Sequence, residues 1–188
     1  MARNTASTDG ESNADHPAAG LDTIVVDPDD VIEAMRRNKR DEDEQRSHVL
    51  RVTPPLEGEQ TATPHVSEAH TRYPSEMDPK PLHIAPEAFI VEHEAGSRHP
   101  DWSNEWAYPD YGTQKARFHD EFDARDEHGD IRQLTDDEEA EWEEWWDTVV
   151  ETWKANVRHA LGNTDELTLT SQHPDIDDTT VSVRVEEE

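Results

Sequence analysis

Apolar residues follow a helical period most clearly between residues 135 and 161. The segment opens with Thr135-Asp136-Asp137-Glu138, a capping box in which the threonine hydroxyl and the glutamate carboxylate bond each other's free backbone N–H groups. At about 100° per residue, one face collects Trp142, Trp145, Trp146, Val149, Val150, Trp153, Val157, Ala160 and Leu161. We therefore expect a long amphipathic helix that begins after Thr135 and ends near Leu161, with Gly162 as a left-handed stop.

Two shorter helices are expected elsewhere in the chain. Asp27 can accept a bond from a free helix N–H, and Pro28 at the first helical position has no N–H to lose. A helix should therefore run from Pro28 to about Glu44. A second short helix should span about Thr113 to Ala124 and place Ala116, Phe118 and Phe122 inward.

Strands are expected where short β-prone or alternating runs stand between prolines and turn residues. These runs are Leu21–Val26, Ser47–Thr53, Glu59–Val66, Leu82–Ile84, Glu166–Ser171 and Thr179–Val185. The second and third runs can pair, and the last two predict a terminal hairpin. Irregular proline loops join the strands in place of crossover helices, which favours antiparallel pairing. The expected fold class is α+β: a small, mainly antiparallel sheet packed against one long Trp-rich amphipathic helix, plus shorter helices.

The chain should form one domain with two tails, because 188 residues supply core material for one domain rather than two. Residues 1–20 hold no large apolar side chain after Met1 and are rich in small polar residues, which predicts a disordered tail. Residues 21–185 are expected to be a single α+β domain with long proline-rich loops. Residues 186–188 form an acidic C-terminal tail.

The charge is strongly negative, since 46 Asp and Glu stand against 17 Lys and Arg for a formal net charge of -29. High charge with only 31% hydrophobic residues is typical of disorder. Ten of the twelve aromatic residues lie between Trp102 and Trp153, however, and this clustering indicates a folded core. Such a fold would repel itself in dilute buffer, whereas in molar salt the Debye length falls to about 3 Å and most of the repulsion is screened.

Only four of the 17 basic residues are lysines. Abundant carboxylates with scarce lysine resemble the proteins of salt-in halophilic archaea, a resemblance of composition and not of family. It implies a protein that works in molar salt. An acidic nucleic-acid mimic and a partly disordered acidic protein of a low-salt cell are the alternatives.

Several functional classes are disfavoured. The chain has no cysteine for disulfides, thiol nucleophiles or thiolate metal sites. No apolar run reaches ten residues, which argues against a signal peptide or membrane span and predicts a soluble, cytoplasmic protein. Nucleic acid is disfavoured as a partner, because the one basic cluster, Arg36–Arg40, is followed at once by four acids. No nucleophile elbow, dinucleotide fingerprint or P-loop occurs, so no catalytic or cofactor-binding residue is assigned.

Eleven histidines raise the hypothesis of a metal site. His65 and His70 share one expected loop region, and His93 and His99 share another. The latter pair fails the zincin spacing, because the second histidine would have to stand where Ser97 does. Polar surface histidines are the default interpretation, and no metal ligand is assigned.

A small-molecule pocket is a further hypothesis, for which Arg51 beside His48 is the candidate pair. Solvated strand residues are the more common explanation of such a pair.

Tryptophan is the most distinctive feature of the chain. Four tryptophans on one helical face are more often core than interface, because each buries about 150–250 Å². A stripe this wide can still exceed what a thin sheet covers, and the remainder would form a partner or self-association surface. The candidate surface residues are Trp102, Trp106, Trp142, Trp145, Trp146 and Trp153.

The sequence taken alone favours a non-enzymatic protein–protein interaction module of a halophilic cytosol, which acts on another protein or as a homodimer. Two alternatives stay open. One is a metal-dependent hydrolase or small-molecule-binding enzyme that uses His, Asp and Glu ligands from loops. The other is an acidic nucleic-acid mimic.

Overall fold

The computed structural model describes residues 16–41, 46–69, 72–74, 76–90, 107–122, 126–128, 132–171 and 174–186, which contain seven strands and three α-helices. The strands are β1 (Gly20–Val26), β2 (Arg46–Val52), β3 (Glu57–Thr61), β4 (Thr63–Glu68), β5 (Leu82–Ile84), β6 (Glu166–Leu169) and β7 (Thr179–Val185). The helices are α1 (Pro28–Asp41), α2 (Tyr111–Glu121) and α3 (Asp136–Leu161), and a 3₁₀ turn spans Pro86–Phe89.

The described strands form two sheets. A four-stranded sheet has the order β3-β1-β7-β6, and a three-stranded sheet has the order β4-β2-β5. Pairings β2–β4, β2–β5 and β6–β7 are antiparallel, whereas β1 pairs in parallel with both β3 and β7. The expected α+β class with mostly antiparallel pairing is confirmed, and the terminal hairpin is the β6–β7 pair.

The expected strand Glu59–Val66 divides between the two sheets. Ala62 is buried at the division, and its N–H donates to the carbonyl oxygen of Val25 over 2.8 Å. The residues before it pair with β1, and those after it pair with β2. One β-prone run therefore forms two strands, β3 in the four-stranded sheet and β4 in the three-stranded sheet, because β1 lies beside its first part and β2 beside its second.

The main core lies where α1 and the C-terminal half of α3 meet the sheets. Asp27 caps α1 as expected, with its Oδ1 accepting from the N–H of Asp29 at 2.8 Å. The buried residues that α1 contributes are Val31, Ile32, Ala34 and Met35, and α3 contributes Trp153, Val157 and Leu161. Ala18 is also fully buried and Gly20 opens β1, so the described fold already includes residues 16–20.

The start of α3 follows the expected capping box. The N–H of Thr135 donates to Glu138 Oε2 at 2.9 Å, and the N–H of Glu138 donates to Thr135 Oγ1 at 3.4 Å. The expected left-handed stop is wrong, since Gly162 has φ -64° and ψ -12°. The N–H groups of Asn163 and Thr164 bond the carbonyls of Ala160 and Leu161 instead. These tighter bonds satisfy the helix end without a left-handed residue.

Candidate partner surface

Helix α2 lies against α3, and the contact is almost wholly aromatic. Phe118 of α2 is fully buried, and its ring centroid lies 5.5 Å from Trp142 and 5.9 Å from Trp145. Both pairs are edge-to-face, the arrangement that aromatic quadrupoles favour. The tryptophan spacing on α3 therefore provides the surface that holds α2.

A second row of contacts begins at Tyr111, the first residue of α2. Its ring lies 5.2 Å from Trp142 and 5.1 Å from Trp146, and its hydroxyl accepts a 3.0 Å hydrogen bond from the Nε1–H of Trp142. Tyr108, just before α2, packs edge-on against Trp153 at 5.0 Å. These contacts extend the aromatic layer along α3 toward the main core.

The structure separates the tryptophans that the sequence grouped together. Trp142 and Trp153 are only 5% and 3% exposed, so their indoles lie inside the fold. Trp145 and Trp146 are half-buried. Trp102 and Trp106 lie outside the described residues. In the part of the surface that is described, Trp145 and Trp146 are therefore the candidate tryptophans for a partner.

Phe122 joins them, although the sequence placed it inward. The helix α2 ends at Glu121, and Phe122 is its C-cap, with its backbone outside the helical conformation. Its ring stacks on Phe118 at 4.3 Å, and 41% of the residue stays exposed. The inward expectation is wrong because the helix ends three residues earlier than expected, before the apolar period reaches Phe122.

An open groove of about 380 Å³ lies between the two helices beside Phe122. Its apolar lining is Phe122, Trp145 and Val149, and its rim is Glu141, Glu144 and Thr148. The indole Nε1 of Trp145 is enclosed and, in the described part of the chain, has no hydrogen-bond partner. A buried donor without a hydrogen bond destabilises a fold by about 1–3 kcal/mol, so this N–H is an unfavourable feature of the groove.

The solvent-exposed surface of α3 is strongly acidic. Residues 136–151 of α3 include nine carboxylates and no Lys or Arg. Four of the carboxylates recur every fourth residue on the exposed side, which places them about 6 Å apart along the axis: Glu139, Glu143, Asp147 and Glu151. Lys154 pairs with Glu151 at 2.7 Å, one turn beyond the row. This row lies on the other side of α3 from the groove, and the carboxylates that border the apolar strip itself are those of Glu141 and Glu144.

A cavity of about 590 Å³ between α1 and α2 is polar by comparison. Its charged lining comprises Lys39, Glu87, Asp110 and Arg117. Burial raises the pKa of Glu87 above its usual range. Glu87 could exchange a proton, but among the described lining residues no contact pairs it with a second group as general acid and base.

The histidine hypotheses have different outcomes. His70, His93 and His99 lie outside the described residues, and within the described ranges no group of three or more His, Asp or Glu could hold a metal ion. His48 and Arg51 lie three residues apart on β2 and so point to opposite faces. The residue directly beside Arg51 is instead His83 of β5. The strand therefore does not bring the candidate pair, His48 and Arg51, into one pocket.

These observations define the class of the protein: an α+β domain whose long acidic helix presents part of an aromatic layer to solvent. The chain belongs to the family described as "Domain of unknown function (DUF8009)", whose model matches residues 11–187. No curated protein and no solved structure matches the chain. Among the described helices, none is both long and apolar enough to cross a membrane.

Proposed function

We propose that this protein is a non-enzymatic protein–protein interaction module of a halophilic cytosol, and that the groove between α2 and α3 is its binding site. The observation that carries the proposal is the exposure of Phe122 beside the half-buried Trp145 on a surface that is otherwise strongly acidic. Aromatic residues are enriched at the centres of interfaces, with polar residues around them.

The negative charge around the groove favours a positively charged partner. An apolar anchor flanked by Lys or Arg would fill the groove and meet the carboxylates of Glu141 and Glu144. A second copy of this chain fits less well. A two-fold interface sets the same patch against itself, so the carboxylates of one copy would face those of the other. The proposed occupant is accordingly a basic, partly apolar segment of another protein.

The nucleic-acid mimic is the second candidate, supported by the row of carboxylates at four-residue spacing. Its partner would be a DNA-binding protein whose basic site takes this row in place of phosphates. The two candidates share the basic partner and differ in the role of the groove. A mimic depends on the carboxylates and not on Phe122, and duplex DNA would compete with it.

Site-directed photocrosslinking in native high-salt lysate tests the proposal. The photoreactive residue p-benzoylphenylalanine is placed at Thr148 on the groove rim, and at Thr180 of β7, which is also exposed, as a control. We expect an adduct from position 148 alone, in which the linked peptide of a different protein carries Lys or Arg beside apolar residues. Adducts only with a second copy of the chain, or equal adducts from both positions, would overturn the proposal.

A matched pair of variants assigns the role of the groove. Phe122→Ser removes the exposed aromatic ring, and Val66→Ser removes an apolar side chain of the same 41% exposure on β4. The proposal expects the adduct to be lost in the first variant and kept in the second. Adducts that survive Phe122→Ser but disappear with excess duplex DNA would establish the mimic instead.

A further inference from the structure

The face of the three-stranded sheet opposite Leu50 and Val52 carries a cluster of polar side chains that the proposed partner surface does not use. On β2, Leu50 and Val52 belong to the main core, so Arg51 points to the opposite face. His83 of β5 lies directly beside Arg51, and His65 of β4 lies beside Val49. Side chains of paired residues share a face, so three strands bring one arginine and two histidines together.

Hydrogen bonds hold His83 in a fixed orientation. Its Nε2 lies 2.8 Å from the hydroxyl of Tyr73, and its Nδ1 lies 3.2 Å from Oγ of Ser67. The ring centroid of His65 is 5.0 Å from that of His83. His65 makes no comparable hydrogen bond among the described residues, which leaves its ring nitrogens available beside an anchored neighbour.

Arg51 is unusual in a chain with 46 carboxylates. Within the described part of the chain, no carboxylate forms an ion pair with Arg51, and its enclosed Nε has no hydrogen-bond partner. A guanidinium without a described carboxylate partner, in a protein so rich in acceptors, is chemically suited to bind an external anion through its terminal N–H groups. The described strands thus place a positive centre that no described carboxylate pairs with.

The ionisable groups around the histidines agree with this charge. Burial, followed by the nearby Arg51, lowers the pKa of His65. Burial, then His65 and Arg51, lowers the pKa of His83. Beyond the β4 edge, His65 also borders a cavity with Asp30, Glu33 and Arg37 of α1.

None of those α1 groups contributes to the lowered pKa of His65. Glu33 is itself bonded by Arg37 at 2.7 Å. Arg46 and Glu68, at the far end of the β2–β4 ladder, pair with each other at 3.5 Å.

We propose that this face binds the phosphoryl group of a small phosphorylated molecule, with Arg51 and His65 as its ligands and Tyr73, His83 and Ser67 as the positioning network. A tetrahedral oxyanion has enough acceptor oxygens for a guanidinium and an imidazole at once. Inorganic phosphate supplies the same chemistry as a phosphate monoester, and both serve as probes. The inference is independent of the partner surface on α3.

Histidine side-chain NMR at constant high KCl tests this proposal. Titration with inorganic phosphate should move the imidazole signals of His65 and His83 saturably, and a monoester such as glycerol 3-phosphate should compete. Acetate at the same ionic strength should not. Tighter binding of the monoester than of inorganic phosphate would identify a phosphorylated metabolite as the source of the anion.

Arg51→Gln should weaken phosphate binding about tenfold or more, as expected for loss of a charge-assisted contact. Arg184→Gln is the matched control, because Arg184 is a strand arginine already paired with Glu59 at 2.7 Å. His65→Gln should also weaken phosphate binding, and this variant tests the proposal if Arg51→Gln does not fold.

The pH dependence of sulfate binding tests the role of the histidines. The charge of sulfate does not change between about pH 5 and pH 7.5, whereas histidines gain positive charge toward low pH. Sulfate should therefore bind about threefold to tenfold more tightly at about pH 5 than at pH 7.5.

Three results would overturn the proposal. The first is a phosphate response that survives both Arg51→Gln and His65→Gln. The second is an equal response to every anion at matched ionic strength. The third is saturable Zn²⁺ binding at His65 and His83 without any response to phosphate, which would establish a metal site.

Discussion

The indole N–H of Trp142 donates to the hydroxyl of Tyr111 over 3.0 Å, and this bond joins the start of α2 to the first half of α3. Trp142 is 5% exposed, while Tyr111 is 50% exposed. A buried donor on one helix therefore depends on an exposed acceptor of the other.

Replacing Tyr111 by Phe removes this acceptor and keeps the ring. The Trp142 N–H is then left inside the fold without a partner, which should lower the free energy of unfolding by about 1 kcal/mol. Urea unfolding at constant KCl measures the change. Tyr108→Phe is the control, because Tyr108 packs on Trp153 in the same way and its hydroxyl makes no hydrogen bond among the described residues. Equal losses in both variants would show that the bond contributes nothing specific.

Glu87→Gln should stabilise the protein at neutral pH. Burial raises the pKa of Glu87, so the folded state binds this proton more tightly than the unfolded state does. Stability is therefore lost as pH rises from the unfolded pKa of about 4.5 through the folded one, and the neutral amide avoids that loss. Unfolding free energies at about pH 7 and pH 4 should show the gain at the higher pH only.

Glu143→Gln provides the reference for that comparison, because it removes one exposed negative charge without changing a buried group. A gain at neutral pH no greater than the reference would contradict the buried-carboxyl argument.

Glu33→Gln should have the opposite sign. The hydrogen bond from Arg36, followed by that from Arg37, lowers the pKa of Glu33 to about 2. This carboxylate stabilises the fold above its unfolded pKa, and the stabilisation is lost as pH falls through about 2. The Glu33 side chain is 38% exposed, so screening limits the loss at pH 7 to about 0.5–1 kcal/mol. In unfolding experiments carried to lower pH, the difference between variant and wild type should shrink below about pH 4.5 and vanish only below about pH 2.

The net charge of -29 predicts that the fold needs salt. When KCl is lowered from molar to about 0.1 M, screening extends to about 10 Å and the spaced carboxylates of α3 repel one another. Circular dichroism should report loss of helix over this range. Replacing Glu139, Glu143 and Asp147 by glutamine should shift the loss to lower salt. A spectrum that stays constant in both proteins would refute the salt dependence.

Local signals in the sequence predicted the elements well where they acted within a few residues. The capping box at Thr135 begins α3, Asp27 begins α1, and the alternating runs near the C terminus form the β6–β7 hairpin. Each depends on neighbours in the chain, so the residue pattern contains the cause. Gly162 is the exception. The same residues can end a helix either with a left-handed glycine or with tighter backbone hydrogen bonds, and the structure uses the second.

Pairing between distant segments was not predictable from the same patterns. The parallel pairing of β1 with β3 and β7 joins residues near 20, 60 and 180. The polar cluster of Arg51, His65 and His83 depends likewise on strand register across two ladders. A period-two pattern states which residues share a face of one strand, but not which strand lies beside it.

The sequence by itself determined a folded, strongly acidic α+β chain with a long capped helix and an aromatic stripe, because composition, capping and periodicity act locally. Only the tertiary structure decided which tryptophans became core. Phe118 and Tyr111 cover Trp142, Tyr108 covers Trp153, and the early end of α2 leaves Phe122 exposed beside Trp145. The helical period assigns all four α3 tryptophans to one face, and burial on that face depends on how far a second helix extends across it.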